Sequence, residues 1–513
     1  MEERLMNYNS ASNASEQTEQ SHPSPAAVKF SKAIGKLPPN NNPLVAHKFG
    51  ADPYALVFEG RVYLYMTSDK LEYDSEGNPQ KNSFHSINRI TVISSDDLVN
   101  WTDHGEIHVA GPQGAATWAI QSWAPAAAHQ IIDGQDRFFL YFSNNASGIG
   151  VLSAPSPVGP WLDPIGKALI TRDTPGVEDV TWLFDPAVLV DDDHRAYIYF
   201  GGGIPEGRAE RPDTARVMPL GEDMTSVVGR ARVIPAPYMF EDAGIHKFNN
   251  IYYFTYCSNF DEGIRPEGSP PPGEIAYMTS SQPMGPWTYR GTILRNPGHF
   301  FGVGGNNHHA IFQFLEHWYI AYHAQTLSQA MEVPDGYRST HLNRISFSEV
   351  DDRINEVAAD YEGVEQIKLF NPYQRVAAAT MGWSAGVKTE RLCTRDTADA
   401  AVSDVVVTVM ERGSWIALSK VDFGNEGAAC FTASIFNEGE GAVLELHLDR
   451  PDGLLIGQLV IPASGGSPGS DISARWKEHS TGITDAQGVH DIYMVVGGAS
   501  GKQGISIREW SFE

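Results

Sequence analysis

FDPAVLVDDDHRAYIYF, residues 184–200, sets an acid ahead of an apolar run, a polar turn and a second, aromatic-rich run. Alone it reads as a hairpin entered by an Asp-Pro turn, because Asp hydrogen-bonds its own backbone and Pro fixes φ. The unit recurs. ADPYALVFEGRVYLYMTSD (51–69), EDAGIHKFNNIYYFTYCSN (241–259) and HHAIFQFLEHWYIAYHAQ (308–325) keep the same order, and WAPAAAHQIIDGQDRFFLYFSNN (123–145) keeps it with a longer turn. Each second run is rich in the aromatic and β-branched residues that suit strands. SSDDLVNWTDHG (94–105), SAPSPVGPWLD (153–163) and SSQPMGPWTYRG (280–291) follow three of the copies and read as the next strand of the same sheet.

The turn positions Arg61, Arg137, Arg195, Asn250 and His317 recur at irregular intervals of about 55 to 76 residues. Multi-strand repeats of that size are propeller blades, so five copies predict a five-bladed β-propeller with individually elaborated loops. The innermost strands of a propeller line its axis and open onto one face. The positions before the first apolar runs are Asp52, Ala124, Asp185, Glu241 and His308, and the fold brings them together. One turn-forming Asp is ordinary. Three carboxylates around one channel repel each other and raise at least one pKa, which marks a functional site.

With 513 residues the chain exceeds a single core, and 42% hydrophobic residues supply material for several. Its 49 glycines and 32 prolines favour many turns and short strands. A formal charge of −26 disfavours nucleic acid and anionic membranes as partners. No apolar span is long enough for a membrane helix. Of three cysteines, Cys257 reads as a small buried hydrophobe, and Cys393 with Cys430 allows one bridge without indicating it. Residues 1–36 read as a polar, disordered tail without an apolar leader, so a cytoplasmic protein is expected, or a secreted one if a signal has been removed.

Catalytic motifs of other classes are missing. GGG (201–203) opens no helix and is no nucleotide loop, DDD (191–193) reads as a hairpin tip, and NNHH (306–309) lacks zinc-ligand spacing. Paired carboxylates flanking a scissile bond are what glycoside hydrolysis uses, one protonated and one ionised, and a third can tune the first. Trp118, Trp123, Trp182 and Phe240 stand near the strand entries as candidate sugar-stacking walls.

NPLVAHKFGADP, SWAPAAAH, WLFDPAVLVDDD, YMFEDAGIHK, NNHHAIF and YRSTHLNRI occur in this order across roughly residues 40–360. In this the sequence resembles family 43 glycoside hydrolases, in particular the arabinoxylan-debranching α-L-arabinofuranosidases and related β-xylosidases. The resemblance implies an inverting, exo-acting enzyme on arabinoxylan or its oligosaccharides. It implies Asp52 as general base, Glu241 as general acid and Asp185 as modulator of that acid's pKa. It further implies a sugar contact from Arg338, the arginine also touching Asp185; of the candidate walls, Trp123 and Phe240 are the ones expected to contact the sugar. His308, with His309 as the near alternative, matches a histidine that helps hold a calcium ion in the channel.

From about Phe370 the composition shifts to Ala, Gly and Val with strand alternation, and residues 371–513 resemble a family 6 carbohydrate-binding module, a β-sandwich of jelly-roll type. Ala377-Ala378-Ala379 replaces that family's calcium-binding Glu-Ala-Glu, and no tryptophan directly follows the glycines of GGSPGSDISARW. Trp476 and Trp510 are expected in the core. The module is therefore expected to play a structural role against the propeller, which spans 37–365, and to shape its substrate cleft. Two other readings stand beside arabinofuranosidase: a β-xylosidase or dual enzyme, and a non-catalytic glycan-binding propeller. Oligomeric state is not legible in the sequence.

Overall fold

The computed structural model of the protein describes residues 30–392, 405–409, 412–437, 441–463, 476–497 and 505–513. Cys393, most of the GGSPGSDISARW stretch and positions 1–29 lie outside the described residues.

Five antiparallel sheets follow one another along the chain to Ile345. Their first strands are Ala51–Phe58, Trp123–Ile132, Ala187–Val190, Met239–Phe248 and His309–Phe314. Each pairs with the second run of its repeat, as in Phe58↔Arg61 and Phe248↔Ile251. These first strands pack in chain order, and the last packs on the first, which closes the ring.

The burial pattern explains the closure. A blade between two neighbours buries both faces, so its strands are apolar on consecutive residues; Ile251–Ser258 is buried throughout except at its first position. Five separate apolar clusters result, one at each junction. Tyr65 and Phe138 meet between blades 1 and 2, Tyr141 and Ile198 between 2 and 3, and Tyr199 and Phe254 between 3 and 4. Tyr253 and Ile320 meet between blades 4 and 5, and Leu64 and Tyr319 join blade 5 to blade 1.

The Ser…Trp motifs differ from expectation. They are not third strands but the links out of them: Ser94–Ser95 and Ser280 end third strands, while Trp101 and Thr288 begin fourth strands. Trp101, Trp161 and Trp287 are buried, so the motif recurs as an inter-blade plug. DDD is the hairpin tip expected, between Ala187–Val190 and Ala196–Phe200.

The C-terminal region is a sandwich of a six-stranded and a five-stranded sheet over one core that includes Leu446, Met494, Ile507 and Trp510. Trp510 is in that core as expected. Trp476 is not: it is half-buried against the Phe436 ring, 5.8 Å between centroids. Cys257 is buried in blade 4, and Cys430 is a half-buried free thiol at a strand start.

The sandwich adds a strand, Thr380–Met381, to the outer edge of blade 1. That protects a sheet edge that would otherwise offer unpaired groups. Asn100 clamps the join, donating to the Ser419 carbonyl (3.1 Å) and accepting the Ser419 N–H (2.8 Å). Residues 30–36, which composition groups with the tail, are ordered too: Ser31 N–H donates to the Gly413 carbonyl of the sandwich, while Lys36 is buried on the Leu44 carbonyl of the propeller. Among the described residues no helix is long and apolar enough to cross a membrane.

Candidate active site

The strand entries are built from backbone that side chains rarely adopt. Asp52, Ala124 and Asp185 sit at φ of 48°, 38° and 49°, in the left-handed region. Such strain costs on the order of 1–3 kcal/mol a residue and persists only where the surroundings hold it. Here a neighbouring blade holds each one. Asp52 N–H donates to His323 Nδ1 (3.1 Å), Ala124 N–H to Thr67 Oγ1 (2.8 Å) and Asp185 N–H to Ser143 Oγ (2.8 Å). Bulges beside Asp52, Trp123 and Glu241 shift the ladder register and re-aim the side chains onto the axis.

By this conformation the blade-4 counterpart of Asp52 and Asp185 is not Glu241 but Asp242, at φ 70°. The extra residue of the bulge displaces Glu241 one place ahead. Glu241 nonetheless faces the same cavity, a space of about 650 Å³ lined by Asp52, Phe84, Trp123, Asp185, Glu241, His308 and Arg338 among others. So the three predicted acids converge, together with His308, Trp123 and Arg338. Phe240 does not line the cavity. It stands beside it, edge-on to Trp182 (5.2 Å) and Phe260 (5.4 Å), in an aromatic row that reaches the cavity through Phe184. Gly202 lets blades 3 and 4 approach there, since a Cβ on it would lie 2.3 Å from the Phe240 carbonyl oxygen. Trp118 turns away, donating to Asp163 and stacking on Phe142.

The electrostatics separate the acids. Burial alone would raise Asp52, but the Arg338 guanidinium and the His308 and His323 imidazoles outweigh it and hold the carboxyl well below its usual range. Arg338 Nη1 donates to Asp52 Oδ1 at 2.8 Å, and Nε and Nη2 clamp both oxygens of Asp69 at 2.9 Å. This corrects the expectation for Arg338: its hydrogen bonds go to Asp52 and Asp69, and it reaches Asp185 only through space. Glu241 goes the other way. Burial, then the Asp185 and Asp52 charges, push it well above the carboxylate range, and its buried Oε1 has no hydrogen-bond partner among the described residues. Asp185 is raised by burial and by Asp52, but it accepts the Asp242 N–H at 2.9 Å, a bond that favours its ionised form. Of this pair Glu241 keeps the proton. Asp185 therefore spends its carboxylate on the next blade rather than on its own turn.

Around His308 the donors do not suit a directly ligated calcium. Nδ1 lies 3.5 Å from Asp52 Oδ1 and 3.9 Å from Asp185 Oδ2, and Nε2 lies 3.2 Å from Asp242 Oδ1. Calcium takes six to eight oxygens, and no group of three or more His, Cys, Asp or Glu among the described residues is placed to hold a metal ion. His309, the alternative, is buried behind the site between Asp242 and Thr255. Among the described residues the cavity wall is drawn from the propeller, and none of the sandwich lines it.

Asp69, Asp242, His323 and Phe84 escaped the sequence reading. Asp242 had a signal, since it neighbours Glu241 in the only repeat with two adjacent acids at its entry. Asp69 closes the blade-1 copy of the repeat, where the other copies carry no acid to point to it, and Phe84 lies beyond that copy, where the repeat gives no alignment.

The family model for glycosyl hydrolases family 43 matches residues 40–351, and that for carbohydrate binding module family 6 matches 377–513. A protein of Paenibacillus polymyxa named arabinoxylan arabinofuranohydrolase is 50% identical over 492 residues, covering 94% of this chain and 75% of its own. A Bacillus subtilis protein of the same name is 50% identical over 501 residues, covering 95% of each. The crystal structure of a glycoside hydrolase family 43 arabinoxylan arabinofuranohydrolase from Bacillus subtilis, in complex with cellotetraose, superposes with a TM-score of 0.89 at 49% identity, covering 94% of this chain and 99% of the other.

Proposed function

The chain belongs to glycosyl hydrolases family 43, and from that premise we propose that it releases α-L-arabinofuranosyl side groups from arabinoxylan or arabinoxylo-oligosaccharides. The observation that carries the reading is the division of charge in one cavity: Asp52 held ionised by Arg338, Glu241 held neutral with a free buried oxygen. That is the state an acid–base pair must occupy before a glycosidic bond breaks. Glu241 donates its proton to the leaving oxygen. Asp52 takes a proton from the water that attacks the anomeric carbon, and Asp185 holds the negative charge that keeps Glu241 protonated. The resemblance to the family implies that the attack inverts the anomeric configuration. Likeness over almost the whole chain to two arabinoxylan arabinofuranohydrolases supports the choice of sugar.

Side-by-side hydrolysis of 4-nitrophenyl α-L-arabinofuranoside and 4-nitrophenyl β-D-xyloside tests it. We expect the arabinofuranoside to have the higher kcat/KM and arabinose to be released from arabinoxylan. A large preference for the xyloside would replace this reading with β-xylosidase, and no turnover of either would leave a glycan-binding propeller.

Calcium in the channel is a second part of the proposal. With both nitrogens of His308 turned to carboxylates, such an ion would be held beside that ring through water rather than by the ring itself, and would draw most of its six to eight oxygens from water. Elemental analysis of the purified protein before and after chelation should find about one calcium per chain in the untreated sample. Less than a tenth of an equivalent with full activity would remove calcium from the account.

A further inference from the structure

A fourth carboxylate stands behind the three that face the cavity. Asp242 is fully buried and does not line the substrate space. Its backbone N–H donates to Asp185 Oδ2 at 2.9 Å. Its Oδ1 accepts the His309 N–H (3.1 Å) and lies 3.2 Å from His308 Nε2, while Oδ2 lies 2.5 Å from His309 Nδ1. His309 is fixed at its far side, Nε2 to Thr255 Oγ1, at 2.8 Å. Gly244 makes the space for this, because a Cβ there would meet Thr255 Oγ1 at 2.3 Å and His309 Nε2 at 3.2 Å.

The arrangement has a direction. His309, fixed by Thr255, bonds Asp242; Asp242 Oδ1 faces one nitrogen of His308 at 3.2 Å; the other nitrogen of His308 lies 3.5 Å from Asp52 Oδ1 and 3.9 Å from Asp185 Oδ2. From the opposite side Arg338 and His323 approach the same oxygen, at 2.8 and 3.2 Å. An imidazole ring turns about two rotatable bonds, so its plane is set by the groups it meets. Burying a carboxyl group away from the substrate is costly unless it is paired and hydrogen-bonded, and here the His309 imidazole and its backbone N–H from blade 5 bond it, with His308 Nε2 3.2 Å away as a further charge partner.

We infer that Asp242 is a positioning residue, which fixes His308 against Asp52 and so aligns the base with the attacking water. The inference rests on the acid–base roles given above. It differs from a metal-ligand role for His308, since both nitrogens of that ring face protein carboxylates.

Asp242→Asn and Asp242→Ala test it. A misaligned base lowers the rate of the step without weakening ground-state binding, so Asp242→Ala is expected to lose about 100-fold in kcat with KM within about threefold. Asp242→Asn keeps an acceptor at Oδ1 and should lie between Ala and wild type. The loss should be the same for 4-nitrophenyl glycosides and for oligosaccharides, because base alignment does not depend on the leaving group. Thermal melts identify variants whose loss is unfolding, and if the Ala variant does not fold, the isosteric Asn variant carries the test alone. Wild-type kcat in folded Asp242→Asn and Asp242→Ala overturns the inference. So does a loss confined to KM, or one that grows as the leaving group worsens, which would place Asp242 on the acid side. If wild type prefers the xyloside, the choice of sugar fails while the same comparison on the xyloside still decides Asp242.

Discussion

Glu241→Gln should lose at least about 1,000-fold in kcat on arabinoxylo-oligosaccharides, the scale of a positioned general acid. The amide keeps the shape of the carboxyl but has no proton to give to the departing sugar oxygen. A nitrophenolate leaves with little need of that proton, so the loss on 4-nitrophenyl α-L-arabinofuranoside should be much smaller, and the gap between the two substrates is the signature of the acid. The pH profile follows from the raised pKa. In wild type the alkaline limb of kcat/KM falls as Glu241 loses its proton, and that limb should vanish in the variant. Stability moves in a definite direction as well. A carboxyl whose folded pKa lies above its unfolded value contributes stability below the unfolded pKa and loses it as pH rises through the folded one. The amide has no such loss, so Glu241→Gln should melt no lower than wild type, with its advantage widening as pH rises. Wild-type turnover of oligosaccharides by this variant would end the assignment.

The sequence exposes blades well and site detail unevenly, for a physical reason. Blades repeat because every junction demands the same thing, an apolar face on each side, so Tyr65, Tyr141, Tyr199, Tyr253 and Tyr319 report the architecture one after another. Asp52 and Asp185 share both a motif and a left-handed backbone, which makes them legible from the repeat. Glu241 was found by the same alignment although the bulge gives its repeat position to Asp242. What the repeat cannot carry is anything hung on a non-repeating loop or passed across blades. Phe84 belongs to the first, and the Asp69 clamp on Arg338 and the Asp242–His309–Thr255 chain to the second. Phe240 failed as a cavity wall because proximity in sequence to Glu241 does not fix the side of the strand: successive side chains on a strand point to opposite faces, and Phe240 joins Trp182 and Phe260 instead.

Asp52→Asn should be as damaging as Glu241→Gln but in a different way. With no base to remove a proton from the attacking water, kcat should fall by at least about 1,000-fold. Asp52 takes its proton from the water and none from the leaving group, so the loss should be similar for nitrophenyl glycosides and oligosaccharides. An anionic nucleophile needs no base. Azide supplied to this variant should restore turnover by forming a carbon–nitrogen bond at the anomeric carbon as the carbon–oxygen bond breaks, with Glu241 still giving its proton to the leaving oxygen. The product is then a glycosyl azide, and its anomeric configuration reports the face of attack. Stability again separates the two acids. A carboxyl held below its unfolded pKa, as Arg338 holds Asp52, contributes stability above the unfolded pKa that is lost as pH falls through the folded one. Removing its charge forfeits that contribution and leaves Arg338 with Asp69 as its one hydrogen-bonded carboxylate. Near neutral pH, Asp52→Asn should therefore melt below wild type while Glu241→Gln melts at or above it. Opposite signs in two melting curves would assign the ionised and the protonated acid before any substrate is added, and shifts of the same sign would mean that the charge is divided otherwise.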